Sequence, residues 1–304
     1  MSLESSAVLS HLSSWLTCFE LCCMRALNRS FYTGIPRHTW ELTASNISSS
    51  KSMDQLSKVF PHVWCLRVQD AILEETPTMK SLMPWLNRSE ELRKLVLTRV
   101  QEPAIIAPNL EALVIEHCPV TRFHADTKLP QLKKLSLSSR SFTALHAQCL
   151  IKDMLPKSPM LEDLSLASCS HLEQVLVNPG DLPALRRLDL SGCPKLDRVH
   201  VTSKLLETLD LSRNDSLQYV LLDLERVVDL DLSFLKNLTH LYIRSPSLRR
   251  LNLRGCDQLM RNATSVTCPN LQFVVLQGTT LKVDDFNRDE VNDEVFALPD
   301  SNNH

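Results

Sequence analysis

Two places in the chain put a cysteine thiol beside a histidine imidazole, a pairing that can supply a nucleophile and its base. Cys118 directly follows His117, and Cys169 lies two residues before His171. Each of these cysteines also ends a repeated stretch, LxxLxLxxC at Cys169 and LxxLxIxxC at Cys118, in which two alternating aliphatic residues precede it. A side chain at that position is expected to be buried in a turn. We therefore predict that both cysteines are structural and that neither pair is catalytic.

The sequence offers no motif for a metal ion or a nucleotide. Cys18, Cys22 and Cys23 lie on one predicted helix, but no second pair of ligands stands at zinc-site spacing. The chain has only 5 glycines, and neither GxGxxG nor GxxxxGKS/T can be drawn anywhere in it. We therefore predict no catalytic residue, no metal and no cofactor, which leaves binding as the expected activity.

Composition and charge limit the kind of partner. Apolar residues make up 43% of the chain and charged residues 22%, ordinary values for a globular protein. A net charge of -2 predicts no general attraction to nucleic acid or to a membrane. Residues 7–24 are apolar but contain His11 and Glu20 and have no basic lead-in, so we expect neither a signal peptide nor a spanning helix. The cysteines are then reduced thiols, as in the cytoplasm or nucleus.

One pattern recurs along most of the chain. Self-similarity at 20 to 29 residues with LxxLxLxx followed by Cys or Asn is the leucine-rich-repeat pattern. Weaker copies begin at Leu92, Leu110, Leu132 and Leu271. The clearest copies are LEDLSLASC at Leu161, LRRLDLSGC at Leu185, LETLDLSRN at Leu206, VVDLDLSFL at Val227 and LRRLNLRGC at Leu248. The repeat predicts a solenoid over residues 43–283, with about nine to ten units.

The spacing within one unit predicts a short strand with an inner and an outer face. Leu188 and Leu190 are two residues apart, so their side chains point to the same side, toward the core. Arg187, Asp189 and Ser191 then point to the other side. Stacking such units gives a parallel sheet whose outward residues form a concave surface.

The position after each strand is expected to turn the chain inside the solenoid. Cys193 fits there because a thiol is small, mostly apolar and a weak hydrogen-bond donor. Asn214 occupies the same position one unit later, where its amide can bond the turn backbone. Arg140 and Leu235 break the rule. We expect the turns at those two residues to be less regular.

Unit length predicts what lies on the other side of the solenoid. After Cys193 the alternation resumes at Val199 and Val201, so the 21-residue units should carry a second extended segment. Residues 141–155 and 76–86 belong to longer units and have helical length and composition. The fold class is therefore α/β, a solenoid with a concave parallel sheet and a convex side of mixed helices and extended segments.

The register identifies a candidate binding surface. Asp189, Asp210 and Asp231 hold equivalent positions and predict an acidic stripe for a basic partner, although LDLS is also a common filler of such repeats. A second cluster, Arg244, Arg249, Arg250 and Arg254, predicts a basic patch for an acidic or phosphorylated partner, although scattered surface arginines are common. The outward residues expected to bind a substrate are Asp163, Ser165, Arg187, Asp189, Ser191, Thr208, Asp210, Asp229, Asp231, Arg250 and Asn252.

The first forty residues follow a different pattern. Apolar helix positions are followed by Trp15-Leu16, then Leu21, CCMRALNRSF and Trp40. This order resembles an F-box, and the whole chain resembles the plant F-box/LRR-repeat proteins. The resemblance implies an all-α domain over residues 1–42 that binds the adaptor Skp1. Carried over by position, the contacts are Val8, Leu9, Leu12, Trp15, Leu16, Leu21 and Met24. The usual Leu-Pro opening is Glu4-Ser5 here, and Thr17 replaces an acidic residue.

The resemblance implies a receptor subunit of an SCF-type cullin-RING ubiquitin ligase, with Skp1, cullin and RING components and an unidentified protein substrate as partners. The alternative is a non-enzymatic interaction scaffold whose F-box-like helices only cap the solenoid. The acidic segment 284–304 is expected either to form a short capping helix near residues 291–298 or to serve as an interaction tail.

Overall fold

The structure, a computed structural model, describes residues 41–45, 59–60, 62–69, 91–99, 107–118 and 129–286. Within these ranges the chain is a leucine-rich-repeat solenoid in which each repeat adds one short strand, parallel to its neighbour, to a concave surface. The predicted F-box helices, the helix at 76–86 and the tail beyond residue 286 lie outside the described residues.

The concave strands form an eight-stranded sheet and, after a break, a three-stranded sheet. β1 begins at Glu41, so this sheet takes in the last residues of the segment that the sequence assigned to the N-terminal domain. β1 and β2 precede the first repeat that the sequence revealed. The concave strands are β1 Glu41–Ser45, β2 Cys65–Gln69, β3 Lys94–Thr98, β4 Ala112–Glu116, β5 Lys134–Ser138, β6 Asp163–Ser165, β8 Arg187–Asp189, β10 Thr208–Asp210, β12 Asp229–Asp231, β14 Arg250–Asn252 and β16 Phe273–Val275.

A second parallel sheet on the other side confirms the extended segments predicted for the short units. It has five strands, and each is reached by the chain after the turn that closes a concave strand. Its strands are β7 Gln174–Val177, β9 Arg198–Ser203, β11 Tyr219–Leu224, β13 His240–Arg244 and β15 Thr264–Thr267. A 21-residue unit leaves no length for a helix, so the chain closes each turn with two strands.

The longer unit that follows β5 has room for a helix, and the prediction for residues 141–155 is confirmed. α1 covers Ala144–Cys149 and continues as a π-helical turn over Leu150–Met154 and a 3-10 turn over Leu155–Lys157. Two further 3-10 turns occur at Arg261–Ala263 and Val283–Asp285. No described helix is long and apolar enough to cross a membrane.

The core is a column of leucines and valines between the two sheets. Leu185, Leu188 and Leu190 are at most 1% exposed, and Val199 and Val201 of the same unit close the core from the second sheet. Equivalent residues of successive units pack into one continuous cluster. Because each unit buries its apolar side chains only against its neighbours, stability comes from stacking.

A left-handed residue ends most concave strands. Positive φ occurs at the residue before the turn position in the units of Cys118, Cys169, Cys193, Asn214 and Cys256. In Gly192 the φ is 66°, and its N–H donates to the carbonyl of Ser212 in the next unit at 2.9 Å. Equivalent bonds are donated by the N–H groups of Ser168, Phe234 and Gly255, and the left-handed turn directs the following side chain into the solenoid.

The buried turn side chains satisfy backbone carbonyls, as the thiol pattern predicts. The Sγ atoms of Cys193 and Cys256 donate to the carbonyls of Leu166 and Leu232, at 3.2 and 3.1 Å. Burial raises the pKa of Cys193 to about 11, because an apolar environment disfavours the thiolate. The thiol therefore stays protonated and remains a donor.

The two exceptions to the turn rule behave differently. At Arg140 the turn is irregular, as predicted: Arg140 is exposed, and Ser139 is buried and donates through Oγ to the carbonyl of Cys118 at 2.6 Å. At Leu235 the prediction is wrong. The preceding residue Phe234 keeps a φ of 62° and Leu235 is only 2% exposed, because an apolar side chain fills the interior as well as a thiol does.

Candidate functional site: the concave face

The structure brings the predicted substrate-binding residues onto the concave face in two rows. In the first row Asp163 stands opposite Arg187, and Arg187 opposite Thr208. In the second row Ser165, Asp189 and Asp210 are neighbours. The three-stranded sheet continues the rows with Asp229 opposite Arg250 and Asp231 opposite Asn252, while Ser191 follows β8 at its end.

Ion pairs between neighbouring strands already neutralise much of the first row. Asp163 accepts from Lys134 at 2.8 Å and lies 3.4 Å from the Nε of Arg187. Arg250 binds Asp229 through two nitrogens, at 2.6 and 3.3 Å. These pairs are exposed at one or both partners, so each adds little stability, but they leave few unpaired charges for a partner.

The aspartates of the second row stabilise their own turns, which agrees with the alternative that LDLS is a common sequence of such repeats rather than a binding motif. The Oδ1 atom of Asp189 accepts the backbone N–H of Ser191 at 3.0 Å, two residues on. Asp210 and Asp231 accept in the same way from Ser212 and Ser233, each at 2.9 Å. A carboxylate in this position stabilises the turn by an Asx-type hydrogen bond. One oxygen of each acid is therefore engaged within its own repeat.

The second carboxylate oxygens of these three aspartates differ in whether they have a hydrogen-bond partner. Asp189 uses its Oδ2 to accept from the Oγ of Ser165 at 3.0 Å. Asp210 and Asp231 make no further hydrogen bond or ion pair within the described part of the chain, and both are exposed. The predicted acidic stripe is thus reduced to two adjacent residues with an oxygen open to a partner.

The concave sheet is interrupted between these two residues. β8 and β10 are paired, and so are β12 and β14, but β10 and β12 form no ladder. Leu190 and Leu232 donate their N–H groups to the next unit, at Asp210 and Asn252, both at 2.9 Å. In the described residues Leu211 makes no such bond to Asp231. The second sheet stays continuous here, since β9, β11 and β13 remain paired.

Beyond the break, the concave face carries exposed apolar side chains. Phe273 and Val275 of β16 are 64% and 44% exposed. Together with Asp210 and Asp231 they line an open concavity of about 700 Å³. We call these four residues the C-terminal patch. Exposed aromatic and aliphatic side chains beside unpaired charges are typical of a binding surface.

An aromatic side chain in a strained turn stands at the rim of the C-terminal patch. Phe234 follows Ser233, which lines the concavity, and is 57% exposed with a φ of 62°. Left-handed backbone is disfavoured for a bulky residue. Its ring lies over Gly255, where an added Cβ would be 2.9 Å from Cδ1 of Phe234, and the Arg254 guanidinium is 5.7 Å from the ring centroid.

The predicted basic patch does not exist as one surface. Arg244 ends β13 in the second sheet, whereas Arg250 belongs to β14 on the concave side. The sequence prediction was wrong because the four arginines straddle a turn of the solenoid. Of the concave ones, Arg250 is paired with Asp229 and Arg254 lies over Phe234.

The cysteine and histidine pairs do not face each other as a catalytic pair would. Cys169 donates through Sγ to the carbonyl of Leu137 at 3.5 Å, and burial raises its pKa to about 12. His171 lies 3.2 Å from the Oγ of Ser170 on the surface. The Sγ of Cys118 likewise contacts buried carbonyls, 3.5 Å from that of Leu97. Among the described residues no group of His, Cys, Asp or Glu side chains is arranged to hold a metal ion.

The second sheet presents a stacked column that sequence reasoning missed. The guanidinium of Arg198 lies 5.1 Å from the ring centroid of Tyr219, and the rings of Tyr219 and His240 stack at 4.5 Å. The three residues are register partners on β9, β11 and β13. The sequence could have predicted this column, because the three residues hold equivalent positions in successive repeats. Stacking along the solenoid axis contributes to holding the units together.

Comparison with curated proteins finds plant disease resistance proteins among those similar to this chain. No family model matches the chain. Disease resistance protein RPS4B of Arabidopsis thaliana is 26% identical over 231 residues, 64% of this chain and 19% of that protein. Probable disease resistance proteins RF45 and RDL5 of the same plant are each 28% identical over 186 residues, 59% of this chain and 17% of theirs. The chain thus spans less than a fifth of the length of these curated relatives.

A solved structure also resembles the chain. In the crystal structure of the mouse RP105/MD-1 complex, one chain matches with a TM-score of 0.46 and 15% identity. The match covers 80% of this chain and 48% of that one.

Proposed function

We propose that this chain is a non-catalytic recognition module that binds a protein partner through the concave face of its solenoid. The observation that supports the proposal most directly is the C-terminal patch, where two carboxylates with free oxygens adjoin exposed Phe273 and Val275. A rigid stack of repeats presents such side chains with little loss of conformational entropy on binding. Large, preformed concave surfaces are what solenoids use to bind proteins.

The broad proposal is tested by surface variants in an affinity purification from plant cell extract. Asp231→Lys and Phe273→Ser should each remove a partner that the wild type retains, because they alter the charge and the apolar contact of the patch. Asp215→Lys, at an exposed position on the flank, is the matched control and should retain it. A partner bound equally by all four proteins would contradict concave-face binding.

Two finer roles fit a recognition module, and the first is the substrate receptor of an SCF-type ubiquitin ligase. It is supported by the resemblance of Val8, Leu9, Leu12, Trp15, Leu16, Leu21 and Met24 to the Skp1-binding positions of an F-box. The chain would hold its substrate near the ubiquitin-conjugating enzyme, so the rate gain would come from effective concentration. Cullin and RING components would join through Skp1, in the cytoplasm or the nucleus.

Co-purification with recombinant Skp1 tests this role. Leu16→Asp and Leu21→Asp should abolish the complex by placing a charge on the predicted apolar face. Ser14→Asp lies on the opposite side of the predicted helix and should leave it intact. Failure of the wild-type chain to bind Skp1 would exclude the receptor role.

The second role is suggested by the relatives, whose names describe disease resistance proteins. In that role the solenoid is the recognition segment of a longer resistance-type protein, and Skp1 is not a partner. The two experiments above separate the roles. Loss of partner binding in Asp231→Lys, with no Skp1 complex from the wild type, favours the resistance-type role.

A further inference from the structure

We propose that the C-terminal patch binds an extended segment of the partner that carries a Lys or Arg and a large apolar side chain about three or four residues apart. The inference rests on the proposed concave-face function and specifies the chemistry of the ligand. The expected ligand is a peptide segment with one basic and one large apolar side chain.

The cation is specified by the two open carboxylates. Among the six acidic and amide side chains of the concave strands β6, β8, β10, β12 and β14, Asp163 and Asp229 are ion-paired, Asp189 is doubly hydrogen-bonded, and Asn252 is neutral. Asp210 and Asp231 remain with one oxygen each. A guanidinium or ammonium between them would neutralise two like charges at once, and a guanidinium can bond both carboxylates.

The break in the concave sheet coincides with the position at which the two carboxylates lack a cationic partner. Asp189 and Asp210 are held together by the β8–β10 ladder, but Asp210 and Asp231 hold equivalent positions on two strands that form no backbone hydrogen bond with each other, and both line the concavity. Two carboxylates without a counter-ion repel each other there. A cationic side chain would bridge the two sheets and replace repulsion by two attractive contacts.

The apolar contact is specified by β16. Register places Val275 opposite Asn252, which is opposite Asp231, so Val275 lies two strands beyond the carboxylate. Two strand spacings amount to about 10 Å, and an extended chain rises about 3.3 Å per residue. The cationic and apolar residues of the bound peptide should therefore be about three residues apart. Phe273 lies two residues before Val275 on the same face of β16, diagonally across from Asp231. A peptide side chain that contacts Phe273 would therefore be about four residues from the cationic one.

Phe234 adds an exposed aromatic ring beside the patch, over Gly255 of the unit that contains β14. An arginine and a glycine, Arg213 and Gly255, hold the equivalent left-handed position in the two neighbouring units. An exposed aromatic ring kept in a disfavoured conformation adds contact surface that the fold does not need. The absence of a Cβ at Gly255 leaves the space into which the ring packs.

Charge distinguishes this occupant from the chain's own C-terminal segment. Residues 287–304 contain Asp289, Glu290, Asp293, Glu294 and Asp300 against the single Arg288. Such a segment would bring further negative charge to Asp210 and Asp231. A basic segment from another protein is the complementary ligand.

The experiment selects random peptides displayed on phage with the purified full-length chain as bait. We expect enrichment of sequences with Lys or Arg and an aromatic or aliphatic residue about three or four positions away. A synthetic copy of the enriched peptide is then measured by fluorescence anisotropy. The Asp210→Asn/Asp231→Asn protein should bind it about tenfold more weakly and with less dependence on salt. Phe273→Ser should weaken it by about tenfold as well.

The controls separate the patch from charge and folding effects. Asn252 makes the same turn bond to Arg254 that Asp210 and Asp231 make, so the Asp→Asn variants keep their turns. Asp215→Asn/Asp257→Asn removes the same charge from exposed positions outside the patch and should bind normally. Circular dichroism of each variant verifies the fold.

Several outcomes would overturn the inference. These are enrichment of peptides without a cation, binding that resists the patch variants, competition by a peptide of residues 287–304, or no enrichment at all. Peptide binding that is lost in Arg187→Ser instead would move the site to the eight-stranded sheet. The proposed concave-face function would then survive and only the patch would be wrong.

Discussion

The side-chain Nδ2 of Asn214 donates a hydrogen bond to the carbonyl oxygen of Leu211 at 2.9 Å. The same nitrogen donates to Leu190 at 3.0 Å, and Oδ1 accepts the N–H of Cys193 at 2.8 Å. In other units the carbonyl equivalent to that of Leu211 accepts a hydrogen bond from the turn cysteine of the next repeat, as the carbonyl of Leu166 does from Cys193. Leu235 holds that position and has no donor, so Asn214 satisfies a carbonyl that its neighbour cannot. This compensation leaves no unsatisfied carbonyl at Leu211 although Leu235 replaces the usual donor.

Replacement of Asn214 should therefore be costly. In Asn214→Leu the carbonyls of Leu190 and Leu211 and the N–H of Cys193 lose their partner, and we expect a loss of about 3 kcal/mol or more in the free energy of unfolding. Asn214→Cys keeps a donor for Leu190 and should lose less. Urea unfolding followed by circular dichroism measures both.

The exposed Asn237, which donates to the carbonyl of Asp215 at 2.6 Å, supplies the control. Asn237→Ala should cost less than about 1 kcal/mol, because water can replace the bond. Adding Leu235→Cys to Asn214→Cys should recover part of the loss, because a thiol at position 235 can donate to the carbonyl of Leu211; no recovery would show that the amide is not compensating for Leu235.

The buried turn cysteines should resist alkylation in the folded protein. Burial raises the pKa of Cys169 to about 12 and those of Cys193 and Cys256 to about 11, so their thiolates are scarce at pH 8. Iodoacetamide should label the exposed Cys149 and spare these three until urea is added. Peptide mass spectrometry measures the extent, and rapid native labelling of Cys193 would contradict the burial argument.

The same shifts predict instability in alkali. The folded pKa values exceed the ordinary value of 9.0, so the folded state binds these protons more tightly than the unfolded state. Their contribution is complete below pH 9 and is lost as the pH rises toward 11 to 12. Cys193→Ala should reduce the slope of stability against pH in this range. An unchanged slope would argue against thiol ionisation as its cause.

Two histidines of the second sheet should make the fold sensitive to acid. Burial lowers the pKa of His200 and of His240 from 6.5, and Asp223 partly offsets this for His200. The unfolded state then binds protons more readily, so their contribution is present above pH 6.5 and is lost as the pH falls below it.

His200→Gln tests the acid effect because it keeps a polar side chain of similar size but cannot be protonated. The difference in unfolding free energy between pH 7.5 and pH 5 should be smaller in this variant than in the wild type. Asp223→Asn should enlarge it, since the carboxylate favours the charged imidazole. The opposite order would disprove the assignment.

Phe234 and Gly255 should be coupled in stability. Gly255 has a φ of 71°, and Gly255→Ala both strains the backbone and places a Cβ against the Phe234 ring, with an expected loss of about 1 to 2 kcal/mol. Phe234→Asn suits the left-handed position and should change stability by less than about 0.5 kcal/mol. The double variant should lose less than the sum, because the ring is gone. Strict additivity would contradict the contact.

The sequence predicted the features that depend on local alternation and on repetition. Leu188 and Leu190 point inward because side chains of a strand alternate, and Cys193 is buried because it follows them. Val199 and Val201 predicted the second strand, and the 29-residue spacing after Leu132 predicted the helix that contains Ala147. These features need no knowledge of distant contacts.

The tertiary structure decided which outward residues are available to a partner. Asp163 and Asp229 are neutralised by residues about one repeat away, and those pairings depend on register and rotamers that one repeat's sequence does not contain. Only stacking shows that the ladder stops between Asp210 and Asp231. Leu235 and Arg244 were misjudged for the same reason: compensation by Asn214 and the side of the solenoid on which β13 lies are relations between repeats. The repeat determines the fold, while contacts between repeats determine which concave side chains are left unpaired.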